Sequence, residues 1–532
     1  MLRFLARGTP QLPKSVSDIP EEPSSVDGAL TEAERRFERL RRSIGLFLGP
    51  LVFLTLYLLP MSSLSSRAHT LAAVIGWIIV WWITEPVPIP ATSLLGAALC
   101  VLTGVTNAKT AFAPFGDPII FLFVGSFILA RAMSIHGLDK RFAYSILALP
   151  FVGHSSGRIL FAYGAITAFI SMWVSNTATT AMMFPIGVGI ITALADLLSR
   201  QTGRPVAAAR LRFTTGMMLM AAYASSTGGI GTPVGTPPNL IGLAMLDKFA
   251  GVRIPFFRWM LFAVPLLVVM YGFLYIIMYW LHKPEVSRIK GSREFVRAEV
   301  QKLGPWTRGQ KNSLIAFLVA VGLWVLPGFL ALFTGTSSPL SRRYGERVPE
   351  AVAALFAALL LFLLPLDWKK REFTLTWRQA VQIDWGTLLL FGGGLTLGDL
   401  MFQTKLADEV GRGLLHLFGA TSLWGLTLAG IYLAIIVTET TSNTAAATMV
   451  VPIMISIAQA AGVNPIPPAI GATIGASYAF LLPVSTPPNA IVYGSGLVPI
   501  TKMIRAGALL NFTGGLLIWA SLRILLPLVG LV

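Results

Sequence analysis

Charge is scarce in this chain. Of its 532 residues only 12% are Asp, Glu, Lys or Arg, about half the share of an ordinary soluble domain. That scarcity excludes a water-soluble globular protein. Cysteine is nearly missing: Cys100 stands alone, so no intrachain disulfide can form. The five histidines (His69, His136, His154, His282, His416) show no metal-ligand spacing. No Walker-type phosphate string occurs, which argues against an ATP-driven pump. Gly392-Gly393-Gly394 sits inside an apolar run with no Lys-Ser/Thr after it, and reads as a point of close helix packing. Acidic residues are outnumbered, 24 against 41 basic, for a formal charge of +17. The basic residues fall mostly between apolar runs, where they set topology and meet lipid headgroups; nucleic acid is not the expected partner.

What is present is hydrophobic. Apolar residues make up 55% of the chain, with runs at Phe256–Leu281, 313–333, 388–397 and 506–532. Several reach the roughly 20 residues a helix needs to cross hydrocarbon. The fold class is therefore an all-α polytopic membrane protein. Residues 1–43 are polar, and no apolar core follows closely enough for a secretory signal peptide. Residues 1–44 read as a cytosolic tail with a charged helix near 31–42.

Two polar strings occur twice, in the same order. Ser175-Asn176-Thr177 returns as Ser442-Asn443-Thr444, and Thr236-Pro237-Pro238-Asn239 returns as Thr486-Pro487-Pro488-Asn489. Asp117 and Asp384, Asn176 and Asn443, and Pro185 and Pro452 are each 267 positions apart. The Thr-Pro-Pro-Asn strings are 250 apart, so the second half is shorter between its motifs. A constant offset held over many residues argues for duplication.

Spans are expected near 45–62, 70–84, 91–106 and 117–134, then an amphipathic connector near 138–150. Residues 158–199 are too long for one span and carry Ser-Asn-Thr mid-way, which suits a re-entrant hairpin of two half-length helices. The stretch 211–246 is broken by a Gly- and Pro-rich string from Gly228 to Pro238. Proline removes a donor and glycine tolerates unusual dihedrals, so the helix should unwind there, lining a cavity or buried in protein. A span near 256–281 leads to a basic cytosolic connector, 282–311. The plan then repeats: spans near 312–334, 350–366 and 384–402, a connector near 404–417, a hairpin at 421–461, a broken helix at 466–498 and a last span near 506–530. The halves are thus 45–281 and 312–532. Basic residues gather in 1–44, 84–91, 135–158, 199–212, 282–311, 367–383 and 499–506, giving N-terminus in and C-terminus out. Eleven transmembrane helices plus two re-entrant hairpins result, in two inverted-topology repeats.

Polar tips near mid-membrane offer helix N-termini to an anion, and unwound segments offer carbonyls to Na⁺. An Asn amide can serve both. The hairpin cores 160–198 and 421–461 contain no Lys, Arg or His. An anion there needs compensation, and a co-bound cation supplies it. This favours symport of a small anion with Na⁺. A sodium-independent exchanger, a proton-coupled carrier using Glu439, and an anion channel or non-transporting sensor are the competing readings.

With these strings in view the chain resembles the divalent anion/sodium symporters, over about 45–532. The run Ala476-Ser477-Tyr478-Ala479-Phe480-Leu481-Leu482-Pro483-Val484-Ser485-Thr486-Pro487-Pro488-Asn489-Ala490-Ile491-Val492 is similar to that family's C-terminal signature, and the paired Ser-Asn-Thr strings are equally specific to it. The resemblance implies import of a C4-dicarboxylate, citrate or sulfate with Na⁺ as coupling ion, by a homodimer whose protomers have a scaffold domain and an elevator-like transport domain. It implies a first cation site of Ser171, Ser175, Asn176 and the Gly235 carbonyl. A second would use Thr438, Thr441, Asn443 and the Ser485 carbonyl. Asn176, Thr177, Asn443 and Thr444 would face the substrate, with Thr236 and Thr486 nearby and Pro237 and Pro487 shaping the walls. Ser171 and Thr438 each lie four residues before a motif Ser, on the same helical face, which suits joint ligation independently. The expected setting is the plasma (inner) membrane, and the chain is read as a transporter rather than an enzyme.

Some residues stand outside this pattern. Glu439 is an intramembrane carboxylate whose counterpart in the first half is Met172; a structural partner role is the expectation. Glu85 reads as an interfacial anchor, Trp81-Trp82 as an interfacial aromatic belt, and Asp117 and Asp384 as helix caps.

Overall fold

The computed structural model describes residues 32–289, 292–335, 338–418 and 422–532; most of the expected tail lies outside them. The charged helix and the first span prove to be one element, α1 (Glu32–Leu58). No helix breaker separates residue 42 from 45, so the polar face runs directly into the apolar one. There follow α2 (Ser66–Thr84), α3 (Ile89–Leu102), α4 (Pro118–Ile135) and the amphipathic α5 (Leu138–Leu147). Where the first hairpin is expected stand α6 (Ser156–Ser171) and α7 (Asn176–Thr202), and the first broken helix is α8 (Arg212–Gly229) and α9 (Pro237–Ala250). Helix α10 (Phe256–Leu281) closes the first half. The second half runs through α11 (Arg308–Thr334), α12 (Glu350–Leu363), α13 (Trp385–Gln403) and α14 (Leu406–Phe418). Where its hairpin is expected stand α15 (Leu423–Thr440) and α16 (Asn443–Ala460), its broken helix is α17 (Ile466–Gly475) and α18 (Pro487–Gly494), and its last element α19 (Ile500–Leu528).

Ten helical stretches among the described residues are long and apolar enough to cross a membrane. α3 and α12, with 14 residues each, span only about 21 Å at 1.5 Å per residue.

The helices pack in two sets that meet where α13 touches α9 and α16. α1, α2 and α3 pack in series, α3 packs on α13, and α4 packs on α11, α12 and α13. The hairpins and broken helices form the other group: α8 lies against α6 and α7, α17 against α15 and α16, and the halves interlock where α9 meets α16 and α18 meets α7 and α8. Small residues permit the close approaches. A Cβ on Gly125 of α4 would stand 2.6 Å from the Ala354 backbone of α12, and one on Gly393 of α13 would stand 2.7 Å from the Ser93 side chain. The triple glycine is thus a packing surface, as its setting suggested. Outward faces carry exposed Phe47, Leu58, Val268 and Ile276, suited to lipid.

The Trp pair corrects the sequence reading. Trp81 and Trp82 are buried, and their indole N–H groups donate to the Gly45 carbonyl (2.9 Å) and to Ser93 Oγ (3.2 Å). They lock α2 against its neighbours instead of forming a belt, because α1 and α3 cover them. Asp117 and Asp384 do cap their helices, accepting from the backbone N–H of Ile119 (2.9 Å) and Thr387 (3.0 Å). Glu85 ends α2 in a left-handed conformation (φ 49°), with its carboxylate 3.9 Å from the Arg41 guanidinium. Burial raises the Glu85 carboxyl above the usual range, against the opposing pull of Arg41 and Arg42.

Candidate functional site

Each hairpin tip is a helix start. Ser175 and Ser442 hold extended backbone and accept from the N–H of Ala178 (3.3 Å) and Ala445 (3.2 Å), capping α7 and α16. The broken helices restart at Pro237 and Pro487, which open α9 and α18. Proline suits that position because its fixed φ is helical and no donor is lost there. A proline-opened helix also presents its positive end without the first N–H groups. The first-turn donors that could meet an anion therefore come from α7 and α16.

These four helix N-termini share one cavity of about 600 Å³. All eight residues assigned to substrate line it: Asn176, Thr177, Asn443, Thr444, Thr236, Thr486, Pro237 and Pro487. Ser175, Gly235, Ser442 and Ser485 line it as well. Strings 267 or 250 positions apart in sequence thus meet at one place, and four positive helix ends converge on it.

Beside each tip lies a nest of oxygens. In the first half Ser171 Oγ donates to Asn176 Oδ1 (2.8 Å). Gly235 is wedged against backbone carbonyls: a Cβ there would stand 2.5 Å from the Gly229 oxygen and 2.8 Å from that of Met172. In the second half Thr438 Oγ1 bridges Asn443 Oδ1 (2.7 Å) and the Ala476 carbonyl (2.8 Å). Ser485 Oγ donates to the backbone carbonyl of Glu439 (3.1 Å). Clustered hydroxyl, amide and carbonyl oxygens suit a hard cation. The Thr441 hydroxyl donates to the Trp82 carbonyl (2.7 Å), which leaves its oxygen lone pairs free.

Three groups here had no role assigned from sequence. Asn239 Nδ2 donates to the carbonyls of Gly229 (2.9 Å) and Thr232 (2.8 Å), and Asn489 Nδ2 donates to Ala479 (3.0 Å) and Leu482 (3.0 Å). Each Asn ties its unwound loop shut, and the bonds match residue for residue at the 250 offset. The repeated Thr-Pro-Pro-Asn string carried that signal in its last letter. The third is Arg131 of α4, which lines the cavity although both hairpin cores lack basic residues. It is a lone Arg late in an apolar helix, the type of residue that is functional by default in a membrane segment.

Glu439 has a structural task. Its Oε1 accepts from the backbone N–H of Phe480 (2.8 Å) and Leu481 (2.9 Å) and from Asn511 Nδ2 (2.5 Å), and its Oε2 from Ser485 Oγ (2.5 Å). The unwinding of 476–486 frees those backbone donors, and the carboxylate satisfies them.

Comparison with known proteins places the chain in a family. The sodium:sulfate symporter transmembrane region matches residues 41–529. A sodium-dependent dicarboxylate transporter, SdcS, of Staphylococcus saprophyticus is 37% identical over 498 residues, 93% of each chain. The protein of that name from Staphylococcus aureus is 34% identical over 489 residues, 91% of each. In fold, the chain is similar to the YdaH transporter of Alcanivorax borkumensis, with a TM-score of 0.53 at 16% identity over 91% of this chain and 98% of that one. Multi-pass helical architecture, duplicated tips and near full-length matches agree: this chain belongs to the sodium:sulfate symporter family, the divalent anion/sodium symporters.

Proposed function

We propose that this chain is a secondary active transporter that imports a small dicarboxylate together with Na⁺. One observation carries the reading: both hairpin tips and both proline-opened helices border a single cavity, and an oxygen nest flanks each tip. The names of the Staphylococcus relatives supply the ion and the substrate class. The cavity's size lies within the range of small-ligand sites.

Asn176, Thr177, Asn443 and Thr444 orient the carboxylates, with Thr236, Thr486, Pro237 and Pro487 as walls. Na⁺ sits in the first nest, among Ser171, Ser175, Asn176 and Gly235, and in the second, among Thr438, Thr441, Asn443 and Ser485. Each cation lowers the cost of holding the dianion, and the dianion that of holding the cations. Binding is thereby cooperative, which is what coupling requires. Glu439 supports Na⁺ over proton carriage, since its oxygens already accept four hydrogen bonds.

The arrangement is eleven spans and two hairpins in inverted repeats, N-terminus cytosolic and C-terminus outside, in the plasma membrane. The hairpin group moves as an elevator past the α1–α4 and α11–α13 group, which also supplies the homodimer contact. Proteoliposomes test the reading. Succinate uptake should follow an inward Na⁺ gradient and stop when choline replaces Na⁺. Asn176→Ala and Asn443→Ala should each abolish it. Uptake untouched by both variants would remove the site assignment, and uptake in choline would favour sodium-independent exchange. Citrate and sulfate, tried as competitors, define the range of anions.

A further inference from the structure

The geometry points to Arg131 as a one-sided carboxylate receptor, placed to take the anion from the tips at the cytosolic mouth of the cavity. The inference rests on the transport reading above. Arg131 is the one basic residue lining the cavity among the described residues. Its Nη2 donates to Gln382 Oε1, while its Nε is buried with no hydrogen-bond partner. No carboxylate among the described residues pairs with it. Asp384 borders the same cavity, but its oxygens accept from the Thr387 N–H (3.0 Å) and Oγ1 (2.6 Å).

An unpaired guanidinium beside a membrane cavity is costly unless an anion visits it. Its planar donor set matches a carboxylate, and charge-assisted bonds of that type are about twice as strong as neutral ones.

Placement makes the contact one-sided. Arg131 and Gln382 stand on α4 and just before α13, in the helix group that carries neither tip. The same cavity is lined by Ile89, Pro90, Ser134 and Ile383. These adjoin the segments 84–91, 135–158 and 367–383, which the charge pattern makes cytosolic. A substrate held by the tips meets Arg131 only when the two helix groups stand as they do here. The Arg131 charge would then raise anion affinity on the cytosolic side alone and so set the balance between release and rebinding.

The experiment measures succinate KM from each face in oriented proteoliposomes. Arg131→Gln should raise KM about tenfold or more at the cytosolic face, the worth of one charge-assisted pair, and leave the opposite face unchanged. Arg131→Lys should fall between. Cys100 is buried, so Arg131→Cys can be labelled selectively. A cationic methanethiosulfonate should restore cytosolic affinity, and a neutral one of similar size should not. That pair separates charge from folding within one preparation. Equal effects of the two reagents, or a KM unchanged at both faces, would overturn the role of Arg131. Absence of Na⁺-driven uptake by the unmodified protein would instead overturn the transport reading.

Discussion

The two halves build the same loop by different means. In both, an Asn of the Thr-Pro-Pro-Asn string ties two loop carbonyls, and a hydroxyl one turn before the tip meets the tip Asn. Among the positions where the halves differ are Met172 against Glu439 and Gly235 against Ser485. The difference follows from how far each helix unwinds. The first break covers 230–236 and the second 476–486. A longer break frees more backbone donors in a place without water, and a buried carboxylate answers them. Glycine at 235 lets the first loop close on bare carbonyls. Serine at 485 reaches both the backbone and the side chain of Glu439. The asymmetry is therefore a matter of backbone accounting.

The sharpest test copies the first half into the second. Glu439→Met should orphan the N–H groups of Phe480 and Leu481 and cost about 3 kcal/mol or more, read by thermal unfolding in detergent. Met172→Leu keeps its volume and should cost under about 1.5 kcal/mol. Similar losses in the two variants would break the comparison.

Acid should weaken the packing around His282. His282 follows α10, is buried, and packs its Cβ against Gly216 of α8. Burial, with Lys502 and Arg505 nearby, pushes its imidazole down to about 4. The unfolded chain binds this proton near pH 6.5 and the folded one only near 4, so stability falls as pH drops through that window. The loss approaches about 3 kcal/mol at its end. Asp139 acts with the opposite sign: burial raises it to about 6, so its contribution is lost as pH rises from about 4 to 6. The measurement therefore uses an Asp139→Asn background. His282→Gln should flatten the unfolding midpoint between pH 6.5 and 4.5.

The smallest expected difference lies between the tying asparagines. Asn239→Ala and Asn489→Ala each remove two bonds to carbonyls and should each cost about 2 kcal/mol. Equal losses would sharpen the case that the ties are equivalent. A much larger loss at Asn489 would show the longer loop leaning harder on its Asn.

The all-helical membrane class, the repeated strings and the two Gly- and Pro-rich breaks were legible in the sequence alone. Apolar runs, proline, glycine and repeated strings act locally, and local signals survive in one dimension. Glu439 was recognised as an oddity, but its partners at 480, 481, 485 and 511 lie 41 to 72 positions away, and no period links them. The Trp81-Trp82 pair was misplaced because an aromatic pair near a helix end reads the same whether lipid or α1 and α3 cover it. The Thr441 bond to Trp82 was unreadable for a similar reason, since a hydroxyl's direction depends on which helix passes by. Only the tertiary structure gathered four helix starts around one cavity and set Arg131 on its wall. Charge at a site is summed over every element that packs there, and packing across hundreds of residues is written in no single stretch of chain.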